Sequence, residues 1–147
     1  MARRSAVLIA GLLTFGATTL VTPMDPVASA VVARHCTSDA CTGKNPKVEG
    51  CDTDAETLTT VRATSGGPTV ELRRSRTCSA AWIRFSTTAT DDWKAKLDIQ
   101  GHDPYVINAS PSYPAYSPMV GTSKSYRACV KEYMDAHDRW ACTPKWY

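Results

Sequence analysis

Six cysteines, Cys36, Cys41, Cys51, Cys78, Cys129 and Cys142, all fall after residue 35 of a 147-residue chain. An even count in a short chain reads as a disulfide framework, which belongs to an oxidising compartment. A redox or zinc reading would call for a close CxxC pair, and none occurs. His35 beside Cys36 is read as a neighbour in a free arm rather than a metal ligand. No metal and no cofactor is therefore expected.

The amino terminus agrees with the cysteines. Arg3 and Arg4 precede an apolar segment at residues 6–17, and Ala28-Ser29-Ala30 supplies small residues for cleavage. That order is a secretory signal peptide. The apolar run is interrupted by Gly and Thr and is short of the ~20 residues of a membrane span, so no membrane anchor is expected. Residues 1–30 are thus a leader, and residues 31–147 a single secreted β domain. The chain has 17 Lys and Arg against 14 Asp and Glu; the leader holds Arg3, Arg4 and Asp25, which leaves 15 against 13. So mild a surplus, without a basic run, gives no case for nucleic acid. The ELRRSR stretch from Glu71 to Arg76 would send charges to both faces of a strand, and is read as a solvated edge or rim.

Six cysteines allow 15 connectivities, and strand geometry biases the choice. Cys129 and Cys142 are equidistant from Asp135-Ala136, a polar turn candidate. Cys51 and Cys78 are equidistant from Thr64-Ser65, beside the turn signal Gly66-Gly67-Pro68. Hairpins there would oppose each pair, leaving Cys36 with Cys41. Between the cysteines the chain reads as strands. Trp93, Ala95, Leu97 and Ile99 alternate with Lys94, Lys96 and Asp98. Ile83 and Phe85 alternate with Trp82 and Arg84, and DPYVIN is a short apolar run. YRACVKEYMDAHDRW has helix formers, but the hairpin explains its symmetric cysteines. SPSYPAYSP, with three prolines, is a loop. The expectation is an all-β fold, a small disulfide-stapled barrel or sandwich of short antiparallel strands.

Three motifs carry a resemblance: C-x4-C-x-G-x-x-P from Cys36 to Pro46, a third cysteine, Cys51, followed by Asp54-Ala55-Glu56-Thr57, and LR-x-S-x-x-C-x-A-A-W from Leu72 to Trp82. Over residues 36–130 the chain resembles the YjfA-like family of small secreted bacterial proteins, a domain of unknown function. The resemblance implies a compact disulfide-bonded β domain without catalytic residues. Such domains are also similar to the adaptor subunit of umbrella-shaped toxin particles, which joins a lectin-like subunit to a toxin-bearing one. The partners so implied are extracellular proteins.

No constellation for catalysis stands out. His35, His102 and His137 include two His-Asp neighbours, His102-Asp103 and His137-Asp138, but no GxSxG accompanies them. Asp52-x-Asp54 lacks the later Gly and Glu of a calcium loop, and it and Asp91-Asp92 read as turn acids. Binding fits better, because Tyr105, Tyr113, Tyr116 and Tyr126 surround the Pro-rich loop and Trp140, Trp146 and Tyr147 crowd the carboxyl end. Tyr and Trp are common interface anchors. The partner-binding candidates are Tyr113 and Tyr116 in the loop and Val31, Val32, Arg34 and His35 in a short arm tethered at Cys36. An extracellular adaptor is the leading expectation. A cell-wall or carbohydrate-binding module is the alternative, and a protease inhibitor a weaker one.

Overall fold

Alternating apolar residues can be buried from one side only if two such surfaces meet, and this chain builds two sheets that do so. The computed structural model describes residues 36–63, 66–131 and 139–147. The leader, the arm candidates Val31, Val32, Arg34 and His35, and the turn centres Thr64-Ser65 and Asp135-Ala136 lie outside the described residues. A 3₁₀ turn, Ser38–Cys41, comes first. Eight strands follow: β1 Glu56–Arg62, β2 Thr69–Ser75, β3 Ala80–Phe85, β4 Lys94–Ile99, β5 Tyr105–Asn108, β6 Val120–Gly121, β7 Tyr126–Lys131 and β8 Trp140–Cys142. Sheet A runs β1-β2-β3-β6 and sheet B runs β5-β4-β7-β8, with antiparallel pairing throughout. The architecture is an all-β sandwich, with no closed barrel among the described residues.

The inward residues are those of the expected alternation. Val70, Leu72, Ile83 and Phe85 from sheet A share one core with Ala95, Leu97, Ile99, Ala128 and Val130 from sheet B. A bulge between Thr57 and Thr59 in β1 shifts the register there, and Leu58 packs against the same core. Gly67 is needed where β2 begins, because a Cβ there would run into the Trp93 ring. Gly121 does the same for β6, whose backbone lies against Ser38 and Asp39.

Trp82 points to the other face of sheet A, yet it is buried. A second core closes over it, made of Cys36, Cys41, Cys51, Cys78, Ala80, Trp82 and Met119. The cysteine-rich segment 36–55 thus lies as a lid on sheet A. Its disulfides are Cys36–Cys41 and Cys51–Cys78, and Cys129–Cys142 joins β7 to β8 as directly opposed residues. These are the three pairs the spacing argument favours.

One expectation is overturned. β2 lies between β1 and β3, so the ELRRSR stretch is a central strand and neither an edge nor a rim. Its charges are paired both along β2 and across the ladder. Glu71 accepts from Arg84 at 2.8 Å and from Arg73 at 3.3 Å, while Glu56 of β1 takes Arg74 and Arg76. Opposite charges on neighbouring strands stabilise a sheet that the same residues would weaken if unpaired.

Candidate interaction surface

The Pro-rich loop expected from SPSYPAYSP is tied down where it meets sheet A. Phe85 N–H donates to the Ala115 carbonyl at 2.9 Å, Ser117 N–H donates to Ile83 at 2.9 Å, and the Ser117 hydroxyl accepts from Ile83 N–H at 3.1 Å. Arg84 and Tyr116 form a bridge beside β3. Residues 115–117 thus run along β3 as an irregular extra strand, which fixes Tyr116 in place.

Asn45 completes the fixation. Its side-chain oxygen accepts from Lys47 N–H at 2.9 Å and from Val48 N–H at 3.3 Å, an Asx turn that follows from Asn before Pro46. Its amide donates to the Tyr116 hydroxyl at 3.3 Å. The Lys47 ammonium sits 5.0 Å from the Tyr116 ring centroid. Tyr116 is half-buried, whereas Tyr113, three residues earlier, is 59% exposed. Between them opens a groove of about 350 Å³ lined by Asn45, Ile107, Asn108, Tyr113, Ala115 and Tyr116.

Tyr113 and Tyr116 therefore share one surface. Asn45, Lys47 and Ile107 join them, although nothing in their own spacing points to it; the GKNP turn was the available signal. The other tyrosines differ in place. Tyr126 is in the core, where burial raises its hydroxyl pKa above the ordinary 10.0. Tyr105 packs on the core and lines a separate cavity of about 290 Å³ with Thr42, Ile99, His102, Asp103, Val120 and Lys124. His102 and Asp103 stand together at that rim without Ser or Cys among the lining residues. Asp54 is a turn acid, accepting from the Ser75 hydroxyl at 2.6 Å and from Thr77 N–H at 2.9 Å.

Residues 39–130 match the family described as a protein of unknown function, DUF2690. The chain belongs to that family. The match takes in the lid from Asp39 onward, both sheets as far as Val130 and the whole Tyr113–Tyr116 surface; Cys36 precedes it, and Cys142 and β8 follow it. No curated protein and no solved structure matches the chain. Membership in DUF2690 thus agrees with a small disulfide-bonded domain and assigns no activity.

Proposed function

We propose that this DUF2690 domain is an exported, non-catalytic adaptor that docks on an extracellular protein partner through the Tyr113–Tyr116 surface. The observation that carries the reading is an exposed Tyr113 beside a Tyr116 pinned by Asn45, Lys47 and the β3 bridge. A rigid aromatic at a groove supplies contact area with little ordering cost, which is what an interface anchor needs. Export is supported by the leader-like residues 1–30 and by three disulfides, which persist in oxidising compartments. Among the described residues no helix is long and apolar enough to cross a membrane. The resemblance to umbrella-particle adaptors makes a lectin-like subunit and a toxin-bearing subunit the partners to look for.

Recovery of the tagged protein from culture medium tests this. It should come out with stoichiometric protein partners, and Tyr113→Ala should lower capture of the partner that docks on this surface at least tenfold, about 1.4 kcal/mol. Recovery alone, or with every partner still bound by Tyr113→Ala, would defeat the reading.

A further inference from the structure

The described strands leave two edges on each sheet: β1 and β6 on sheet A, β5 and β8 on sheet B. Open edges invite further strands, and proteins blunt them with bulges, charges, cover or short length. β1 has its bulge between Thr57 and Thr59 and charged residues at its ends, Glu56 and Arg62. β6 is two residues long, and its backbone lies against Ser38 and Asp39. β8 is three residues long and is tied to β7 by Cys129–Cys142. β5 differs. Tyr105, Val106, Ile107 and Asn108 are all uncharged, and their register with β4 is unbroken. Tyr105 and Ile107 pack on the core, while Val106 is 52% exposed and Asn108 is exposed beside it.

The phase of the ladder fixes what this edge offers. Ala109 N–H donates to the Trp93 carbonyl at 2.7 Å, in the same register that pairs Asn108 with Lys94. In an antiparallel ladder, bonded pairs alternate with unbonded ones. Ile107 and Tyr105 therefore bond to β4, and the N–H and C=O groups of Val106 and Asn108 point away from it. Among the described residues no strand lies on that side. Pro104, one residue before the strand, adds an outward carbonyl and no N–H.

This edge is complementary to itself. Opposed residues of an antiparallel pair share a face, so a one-residue slip would set Val106 against an inward residue. Centred on Val106, a second copy places Val106 against Val106, Tyr105 against Ile107, and Asn108 against Pro104. The two Val106 residues then exchange N–H···O bonds, and each Asn108 N–H donates to the Pro104 carbonyl of the other copy. A two-residue shift sets the exposed Val106 against Asn108 or Pro104 instead. No like charges meet. The two copies of Lys96, which stands opposite Val106 in β4, come three strand spacings apart, about 14 Å. That is farther than the ~10 Å over which salt leaves exposed charges their force.

We propose that two copies of this chain pair along β5, antiparallel and centred on Val106, so that their two B sheets join into one. Such a pairing is isologous and closes on a dimer. An unrelated extended segment meets the same backbone groups, but the match of Val106 to itself and of Tyr105 to Ile107 favours a second copy. Four residues bury little area, so the dimer is weak and concentration-dependent. Ile107 and Asn108 also line the Tyr113 groove, but Val106 does not, and the dimer stands or falls apart from the adaptor reading.

Sedimentation of the purified oxidised protein, without partners, tests this over about 10 μM to 1 mM. A monomer–dimer equilibrium is expected. Val106→Glu or Val106→Lys alone should weaken it at least tenfold, because like charges then meet. Mixing the two variants should restore a dimer within threefold of the parent's affinity, which only folded chains can do. Thermal melts check each fold. If Val106→Lys melts early beside Lys96, Val106→Pro removes the outward N–H and spares the ladder to β4, and it should weaken the dimer at least tenfold. A monomer at every concentration overturns the proposal; if Val106→Glu then also loses the extracellular partner, the edge takes a foreign strand instead. Charged variants that dimerise like the parent, or a mixture of folded variants that stays monomeric, overturn it as well.

Discussion

Asp54 shows how one side chain closes the lid onto sheet A. Its two carboxylate oxygens take the Ser75 hydroxyl and the Thr77 amide, while the same hydroxyl accepts from Cys78 N–H at 2.9 Å. The turn that presents Cys78 to Cys51 is therefore tied to the strand that the lid leads into. Burial pushes the Asp54 carboxyl pKa up, but the hydrogen bonds from Ser75 and Thr77 together outweigh it and hold the group below its ordinary 3.8. A carboxyl depressed in the folded state contributes stability above its unfolded value, and that contribution is lost as pH falls through the folded one. Melting temperature should accordingly drop as pH is lowered from 4 toward 2. Asp54→Asn should melt lower at neutral pH, on the order of 1 kcal/mol for an exposed charged acceptor or roughly 4 °C, and should show a shallower acid limb. Parallel acid limbs in the two proteins would remove Asp54 from the linkage.

Among the elements, the disulfides differ in what they constrain. Chain-entropy reasoning makes the stabilisation grow with the loop closed, and the sequence separations are 27 for Cys51–Cys78, 13 for Cys129–Cys142 and 5 for Cys36–Cys41. Replacing each pair with alanines should cost about 3.5, 3 and 2 kcal/mol in that order. Urea unfolding of the three double variants reads the ranking directly, and a largest loss at Cys36–Cys41 would contradict it. The same pairs show what was legible beforehand. Cysteines symmetric about a turn imply opposed strands, and strict alternation in Lys94–Ile99 fixed which face is buried, since a one-residue slip would invert it. The central position of β2 was not legible. Glu71, Arg73 and Arg84 look solvated until the register that pairs them is known. Trp82 likewise alternates like an exposed residue, and only the lid, a tertiary fact, explains its burial. At the candidate site, Tyr113 and Tyr116 could be picked out as excess aromatics beside prolines. Asn45 and Lys47 stand in a legible turn, GKNP, but their place beside Tyr116 was not legible, because 71 residues separate Asn45 from the hydroxyl it holds.

At the scale of the whole molecule, the stapled sandwich is a rigid carrier, and an adaptor needs handles that reach beyond it. On the proposed adaptor reading, the Tyr113–Tyr116 surface is one handle. The arm residues Val31, Val32, Arg34 and His35 are the other candidate, since by sequence they are short, partly apolar and anchored at Cys36, which the Cys36–Cys41 bond holds in the lid core. An anchored segment loses less freedom on binding than a loose one, and an extended one can add to a partner's sheet edge with Val31 and Val32 as pocket residues. Deleting residues 31–34 behind an intact leader should leave the domain exported, oxidised and folded, because the described core residues begin at Cys36. Capture of the extracellular partner should fall at least tenfold. The deletion combined with Tyr113→Ala then tells whether the handles serve one partner or two. Independent contacts on one partner give losses that add in free energy, about a hundredfold in all. With two partners, each variant should release one and keep the other. Undiminished capture by the deleted chain would leave the Tyr113 groove as the sole handle and rule out a role for the arm.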